Sequence, residues 1–250
     1  MFQVKICGIT NIEDALAAEA AGADAMGLNF FAGSPRYVTR ELAREIVCVV
    51  KRPIHFVGVF VNAGVQEMFN TWDHVGFHSF QLHGDESPDD LSELHSWFSD
   101  VNEPCTTIQG TKHGWPLPVL QGIHVNAIRA FRYRDSSWKA AADYLQSCQK
   151  ANAFPCAVLL DAYQPGQYGG TGQVVDWDVV RNERDKLFGL PVILAGGLTP
   201  ENVAAAITTA RPDAVDTASG VEVSPGRKDH GLMTDFVARA RAAFERIAVP

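Results

Sequence analysis

No stretch of this 250-residue chain approaches the roughly 20 consecutive apolar residues that span a bilayer. The first ten residues also lack the basic-then-apolar pattern of a secretory leader. No membrane partner is therefore expected, and the default setting is cytoplasmic. CxxC pairs are missing as well. The five cysteines (Cys7, Cys48, Cys105, Cys148, Cys156) are odd in number and widely spaced, which fits a reducing compartment rather than a disulfide framework. No HExxH occurs, and although His74 and His78 have the spacing of one helix face, His83 falls in a separate strand-like run, so no metal is expected. An excess of basic residues is lacking too. A formal charge of −8 excludes nucleic acid as a natural partner. Any anionic ligand must then be drawn in locally, by helix N-terminal amides and an arginine or two. The first strand-like run ends in "CGIT" without GxGxxG, which removes the Rossmann dinucleotide fingerprint.

What the chain does have is a repeated alternation. Short apolar or β-branched runs at 4–7, 25–29, 54–60, 79–83, 127–131, 157–161, 192–195 and 214–216 are separated by longer, helix-like segments. "NIEDALAAEAAGA" has Asn11 in the cap position and Gly22 where a helix ends. "TPENVAAAITTA" predicts a helix capped by Thr199 with Pro200 in its first turn. Near-continuous apolar strands belong to parallel sheets covered on both faces. Eight β/α units in about 250 residues match an α/β fold of one (β/α)8 TIM barrel, with a doubly wound open sheet as the structural alternative. The spacing breaks once. Residues 100–126, between the fourth and fifth strands, have the Pro/Gly/polar composition of a loop-like insertion, whose role as lid, interface or decoration stays open. The whole chain, 1–250, reads as one barrel domain.

Barrel enzymes draw their chemistry from the C-terminal ends of the strands. Cys7 ends the first strand, Asp161 the sixth and Asp216 the eighth, and Arg36 lies in the loop after the second. Each has a bland reading as core filler, loop cap or surface charge, but together they occupy one rim. A thiol acting as base and a carboxylic acid acting as its partner suit a proton-transfer isomerisation. "YGGTG" (168–172), "AGGL" (195–198) and "TASG" (217–220) follow the last three strands. Glycines there let backbone N–H groups approach a ligand, and the loops after the seventh and eighth strands are where such barrels hold phosphate.

Motifs along nearly the whole chain carry a resemblance. "KICGIT", "GADAMGLNFFAGSPRYV", "VGVFVN", "QLHGDE", "LLDA", "GGTG", "LAGGLTPENV" and "VDTASGVEVSPGRKD" occur in this order. The chain resembles the phosphoribosylanthranilate isomerase family of tryptophan biosynthesis. The resemblance implies Cys7 as general base, Asp161 as general acid and Arg36 as the partner of the anthranilate carboxylate. It places the substrate phosphate at Gly197, Leu198, Ser219 and Gly220, and gives Asp216 a contact with the substrate's polar groups. The implied reaction is an Amadori rearrangement of an aminoaldose to an aminoketose. Its partner is one small phosphorylated substrate, and no cofactor is needed because the substrate's nitrogen is the electron sink. Monomer and homodimer are left undecided.

The chain departs from the family pattern in three places. Ala218 stands where a serine pair usually begins, Val175 replaces an aromatic residue, and the insertion is atypical. A related aminoaldose isomerase of histidine biosynthesis is the rival enzyme, but such barrels are expected to carry an aspartate where this chain has Cys7. A catalytically silent phosphosugar-binding barrel is the rival from another class.

Overall fold

The structure is a computed structural model that describes residues 2–99, 126–133, 137–162 and 176–248. Eight parallel strands hydrogen-bond in sequence order and close on themselves: β1 (Val4–Cys7), β2 (Ala25–Asn29), β3 (His55–Phe60), β4 (Ser79–Leu82), β5 (Ala127–Tyr133), β6 (Ala157–Ala162), β7 (Val192–Leu194) and β8 (Ala214–Thr217). The β1–β8 ladder, with Lys5 opposite Asp216, excludes the open sheet. Helices follow the strands: α1 (Ile12–Ala21), α2 (Arg40–Val49), α3 (Val65–Val75), α4 (Pro88–Ser99), α5 (Ser137–Lys150), α6 (Trp177–Glu183), α7 (Val203–Ala210) and α8 (His230–Ala248). Between β8 and α8 the chain makes a short antiparallel ribbon, β9 (Glu222–Ser224) with β10 (Arg227–Lys228).

Local rules hold at α1, where Asn11 Oδ1 accepts the Asp14 N–H at 2.7 Å and Gly22 ends the helix at φ 87°. They fail at α7, which starts at Val203 rather than at Pro200. The cause is Asn202. Its Oδ1 accepts from the Thr199 N–H and its Nδ2 donates to the Gly197 carbonyl, so residues 199–202 form a turn that anchors the preceding loop. His74 and His78 do not share a helix, because Gly76 ends α3 in the left-handed region at φ 78°. Strand ends shift slightly, with β4 stopping at Leu82 although the His83 N–H still reaches the Phe60 carbonyl. Residues 100–125 of the expected insertion, the 168–172 glycine motif, Cys105 and Val175 lie outside the described residues.

Side-chain parity explains the layers, since successive strand residues point to opposite faces. Ile6, Met26, Leu28, Phe56, Phe60, Phe80, Leu82, Val158, Leu160 and Val215 face outward and join the helices in the main core. Val57, Ile128, Ala130, Ala157, Leu159, Ile193 and Ala214 fill the barrel interior as a separate cluster. At the N-terminal end of the strands, His55 Nε2 lies 2.7 Å from Ser79 Oγ, and His78 Nδ1 accepts the Phe56 N–H at 2.9 Å.

Burial, reinforced by His78, pushes the His55 pKa from 6.5 down to about 3. The unfolded chain therefore binds this proton more readily, so the His55 contribution is complete above about pH 6.5 and is lost as pH falls toward 3. His55→Gln, which keeps a partner for Ser79 but does not titrate, is expected to shrink the acid destabilisation. Urea unfolding at neutral pH and at about pH 4 should show a difference of about 3 kcal/mol between the two proteins' pH dependences.

Candidate active site

The C-terminal ends of the strands surround an open cavity. Its walls include Cys7, Arg36, Asp161, Gly197, Leu198, Asp216, Ser219 and Gly220, the residues to which the family resemblance gives a role. Two glycines create the space. Gly8 adopts φ 73°, and a Cβ on it would lie 2.5 Å from Arg36 Cδ. A Cβ on Gly27 of β2 would lie 2.5 Å from Cys7 Sγ. The glycine after the cysteine thus lets the Arg36 side chain lie across the end of β1.

Arg36 is carried by a loop folded on its own polar groups. Asn29 Oδ1 accepts the Phe31 N–H at 2.9 Å, and Ser34 Oγ accepts the Arg36 N–H at 3.1 Å. The guanidinium donates through Nε and Nη2 to the two oxygens of Glu222, at 2.8 and 2.7 Å. Lys228 Nζ donates to the same carboxylate at 2.8 Å and to the Ala218 carbonyl at 3.0 Å. Neither Glu222 nor Lys228 was identified as a site residue from the sequence. Both lie in the ribbon after β8, in a motif whose chemistry gives no hint that it grips the loop after β2. Burial opposes the charge on Arg36, but Glu222 outweighs it and holds its pKa above the ordinary value. Burial also pushes Glu222 upward, yet Arg36 and Lys228 bring it below the usual carboxylate range. At Lys228 burial wins and lowers the pKa despite Glu222.

A second network lies deeper, and the sequence reading missed it too. Lys5, with no exposed surface, donates from Nζ to Gln81 Oε1 at 2.9 Å and to Asp216 Oδ2 at 3.0 Å. Gln81 Nε2 lies 2.8 Å from His83 Nδ1, and His83 Nε2 lies 3.2 Å from Asp161 Oδ2. Burial works against the Lys5 charge, but Asp216 and Cys7 outweigh it and raise its pKa. Burial raises the Cys7 thiol above its ordinary value; Lys5 and Lys228 pull it down and Asp216 pushes it up. Asp216 is raised by burial, against the pull of Lys5. A parity signal was available: Lys5 must face the interior if Cys7 does, and Gln81 shares a face with His83.

The late loops are tied to each other. Thr217 Oγ1 donates to the Leu198 carbonyl at 2.7 Å, and Asn202 Nδ2 donates to the Gly197 carbonyl at 2.9 Å. In a trans peptide the N–H points opposite its carbonyl, so anchoring the Gly197 carbonyl turns the Leu198 N–H away from Asn202. A Cβ on Gly220 would lie 1.8 Å from the Leu198 oxygen, so only glycine allows the two loops to meet.

Truncating Glu222 to alanine would leave the buried Lys228 ammonium without its carboxylate. Breaking one side of a buried pair costs about 3 kcal/mol or more, so Glu222→Ala is expected to lower the thermal midpoint by about 10 °C in calorimetry. Lys228→Met combined with Glu222→Ala should recover part of that loss.

Comparison with known proteins agrees with this geometry. The family model described as N-(5'phosphoribosyl)anthranilate (PRA) isomerase matches residues 4–103 and 120–239. The unmatched residues 104–119 fall inside the 100–126 segment. A curated N-(5'-phosphoribosyl)anthranilate isomerase from Acidithiobacillus ferrooxidans is 41% identical over 241 residues, covering 96% of this chain and 98% of the relative. The crystal structure of phosphoribosyl anthranilate isomerase from Thermotoga maritima superposes with a TM-score of 0.76 at 32% identity, covering 97% of this chain and 100% of that one. Another crystal structure of this isomerase, in complex with reduced 1-(o-carboxyphenylamino)-1-deoxyribulose 5-phosphate, has a TM-score of 0.73 at 31% identity, with coverage of 97% and 100%. The thiol at the end of β1, the carboxylate at the end of β6 and the tied loops after β7 and β8 thus stand on a chain that belongs to the N-(5'-phosphoribosyl)anthranilate isomerase family.

Proposed function

We propose that this chain converts N-(5'-phosphoribosyl)anthranilate into 1-(2-carboxyphenylamino)-1-deoxyribulose 5-phosphate, with Cys7 as general base and Asp161 as general acid. The observation that carries this reading is the placement of the thiol and the carboxyl on one cavity wall set, between an arginine loop and two tied glycine loops. The rival of histidine biosynthesis is disfavoured by the family match and by Cys7 in the position of the expected aspartate.

The substrate phosphate takes the end of the cavity formed by Gly197, Leu198, Ser219 and Gly220, where close backbone approach supplies N–H donors to an anion in a chain of net charge −8. Glu222 occupies two of the guanidinium's donors, and Arg36 uses the rest for the anthranilate carboxylate. Asp161 protonates the furanose ring oxygen, the ring C1–O bond breaks, and nitrogen's lone pair forms the C1=N bond of a protonated Schiff base. Cys7, as thiolate, then takes the proton from C2. The C2–H electrons form C1=C2 and the C=N electrons return to nitrogen, giving an enolamine. Loss of the C2 hydroxyl proton and protonation at C1 complete the aminoketose. The Lys5 ammonium beside Cys7 supports the thiolate, and Asp216 keeps that ammonium in place while offering its carboxylate to the substrate's polar groups. Among the described residues Cys7, Cys48, Cys148 and Cys156 are free of disulfides, which suits a reducing compartment where the base stays unoxidised.

The test is turnover of freshly generated N-(5'-phosphoribosyl)anthranilate with product identified by mass. Cys7→Ala and Asp161→Asn are each expected to lower kcat by about 10² to 10⁴-fold. Arg36→Met is expected to act mainly on KM, raising it by about tenfold or more as a charge-assisted contact is lost. Because burial lifts the Cys7 thiol above its ordinary value, kcat/KM should still be rising at alkaline pH. A wild-type protein that binds the substrate and returns it unchanged would instead establish a silent binder.

A further inference from the structure

The reaction scheme leaves Gln81 and His83 without a role, although they connect Lys5 to Asp161 through the barrel interior. Both are buried, Gln81 with no exposed surface and His83 at 9%. The direction of this chain follows from what each group can donate. A lysine ammonium has only donors, so the end of Gln81 that it touches is the amide oxygen. The other end of Gln81 is then an NH2 group, which donates, and its partner His83 Nδ1 accepts. The single ring proton of His83 is therefore on Nε2, the nitrogen 3.2 Å from Asp161 Oδ2. With a ring proton on Nε2, 3.2 Å from Oδ2, the oxygen left for an acid proton on Asp161 is Oδ1.

We propose that His83 is a positioning residue for the acid. Lys5 fixes its tautomer through Gln81, and the resulting Nε2–H keeps the Asp161 proton on Oδ1, the oxygen that serves the substrate. Once that proton has moved to the ring oxygen, Nε2–H faces the newly formed carboxylate at Oδ2. Nε2 and Oδ2 form a close contact rather than an aligned hydrogen bond, and catalytic pairs of this kind tighten as the reaction loads them. Asp216, 3.0 Å from Lys5 Nζ, holds the ammonium at the head of the chain. One buried lysine thereby acts on both halves of the site, directly at Cys7 and through two side chains at Asp161. The inference rests on the acid role proposed for Asp161 above.

Two measurements on the full-length protein test it. Nitrogen NMR of histidine-labelled protein distinguishes protonated from unprotonated ring nitrogens, with the His83 signals identified by their loss in His83→Gln. The expected result is an unprotonated Nδ1 and a protonated Nε2. Gln81→Glu, which presents an acceptor to the ring, is expected to move a proton onto Nδ1. In steady-state kinetics, His83→Phe should lower kcat by about 10- to 100-fold, part of the roughly 10² to 10⁴ that a positioned acid supplies, with KM changed less than about twofold. His83→Gln, which returns an N–H to the Nε2 position, should recover most of kcat. A wild-type His83 protonated on Nδ1 overturns the proposal. So does a kcat within about twofold of wild type in His83→Phe, a Gln variant no better than Phe, or a rise in KM alone, which would place His83 against the substrate. If wild-type protein leaves the aminoaldose unchanged, the functional reading fails, while the ring-nitrogen result still decides the tautomer chain.

Discussion

A lysine ammonium with no exposed surface sits inside the barrel, and the polar half of the molecule is arranged to keep it there. Removing such a charge from water costs several kcal/mol, which is repaid only by close, directional partners. Lys5 has them in Gln81 and Asp216. The remaining chemistry follows from that pairing. Asp216 is held beside the ammonium, Gln81 is oriented by it, and the Cys7 thiol two residues on shares its field. Packing alone would fill such a position with an aliphatic side chain, as Val57, Ile128 and Leu159 do elsewhere in the interior. The barrel instead spends that position on electrostatics.

The mouth repeats this logic with a second cation pair. Glu222 lies between Arg36 and Lys228, so one carboxylate joins the loop after β2 to the ribbon after β8. These loops come from neighbouring sides of the β1–β8 seam, and the ion cluster braces the rim where the barrel closes. An arginine fixed at two donors loses less freedom on binding a carboxylate than a free one would. Ala218 fits this arrangement because its carbonyl, rather than its side chain, receives Lys228.

Strand order, the closed architecture and the arrival of Cys7, Asp161, Asp216 and the loops after β7 and β8 at one cavity were legible in the chain. Helical and strand periodicities are local, and a residue at the end of a parallel strand is committed to one rim of a barrel. The cap at Asn11 was legible for the same reason. The cap expected at Thr199 was not, because Asn202 was drawn into holding the Gly197 carbonyl. A distant demand on one side chain overrode a local preference. Likewise His78 has helix spacing from His74, but the left-handed Gly76 intervenes and sends it to Phe56.

The sequence by itself determined which residues reach the cavity, since strand parity and strand ends depend on neighbours only a few residues apart. Only the tertiary structure decided how those residues are paired. Lys5 meets Gln81 76 residues away and Asp216 211 residues away, and Arg36 meets Glu222 at a separation of 186. Such partners are chosen by barrel closure, which brings the last strand beside the first, and no local pattern in the chain records them.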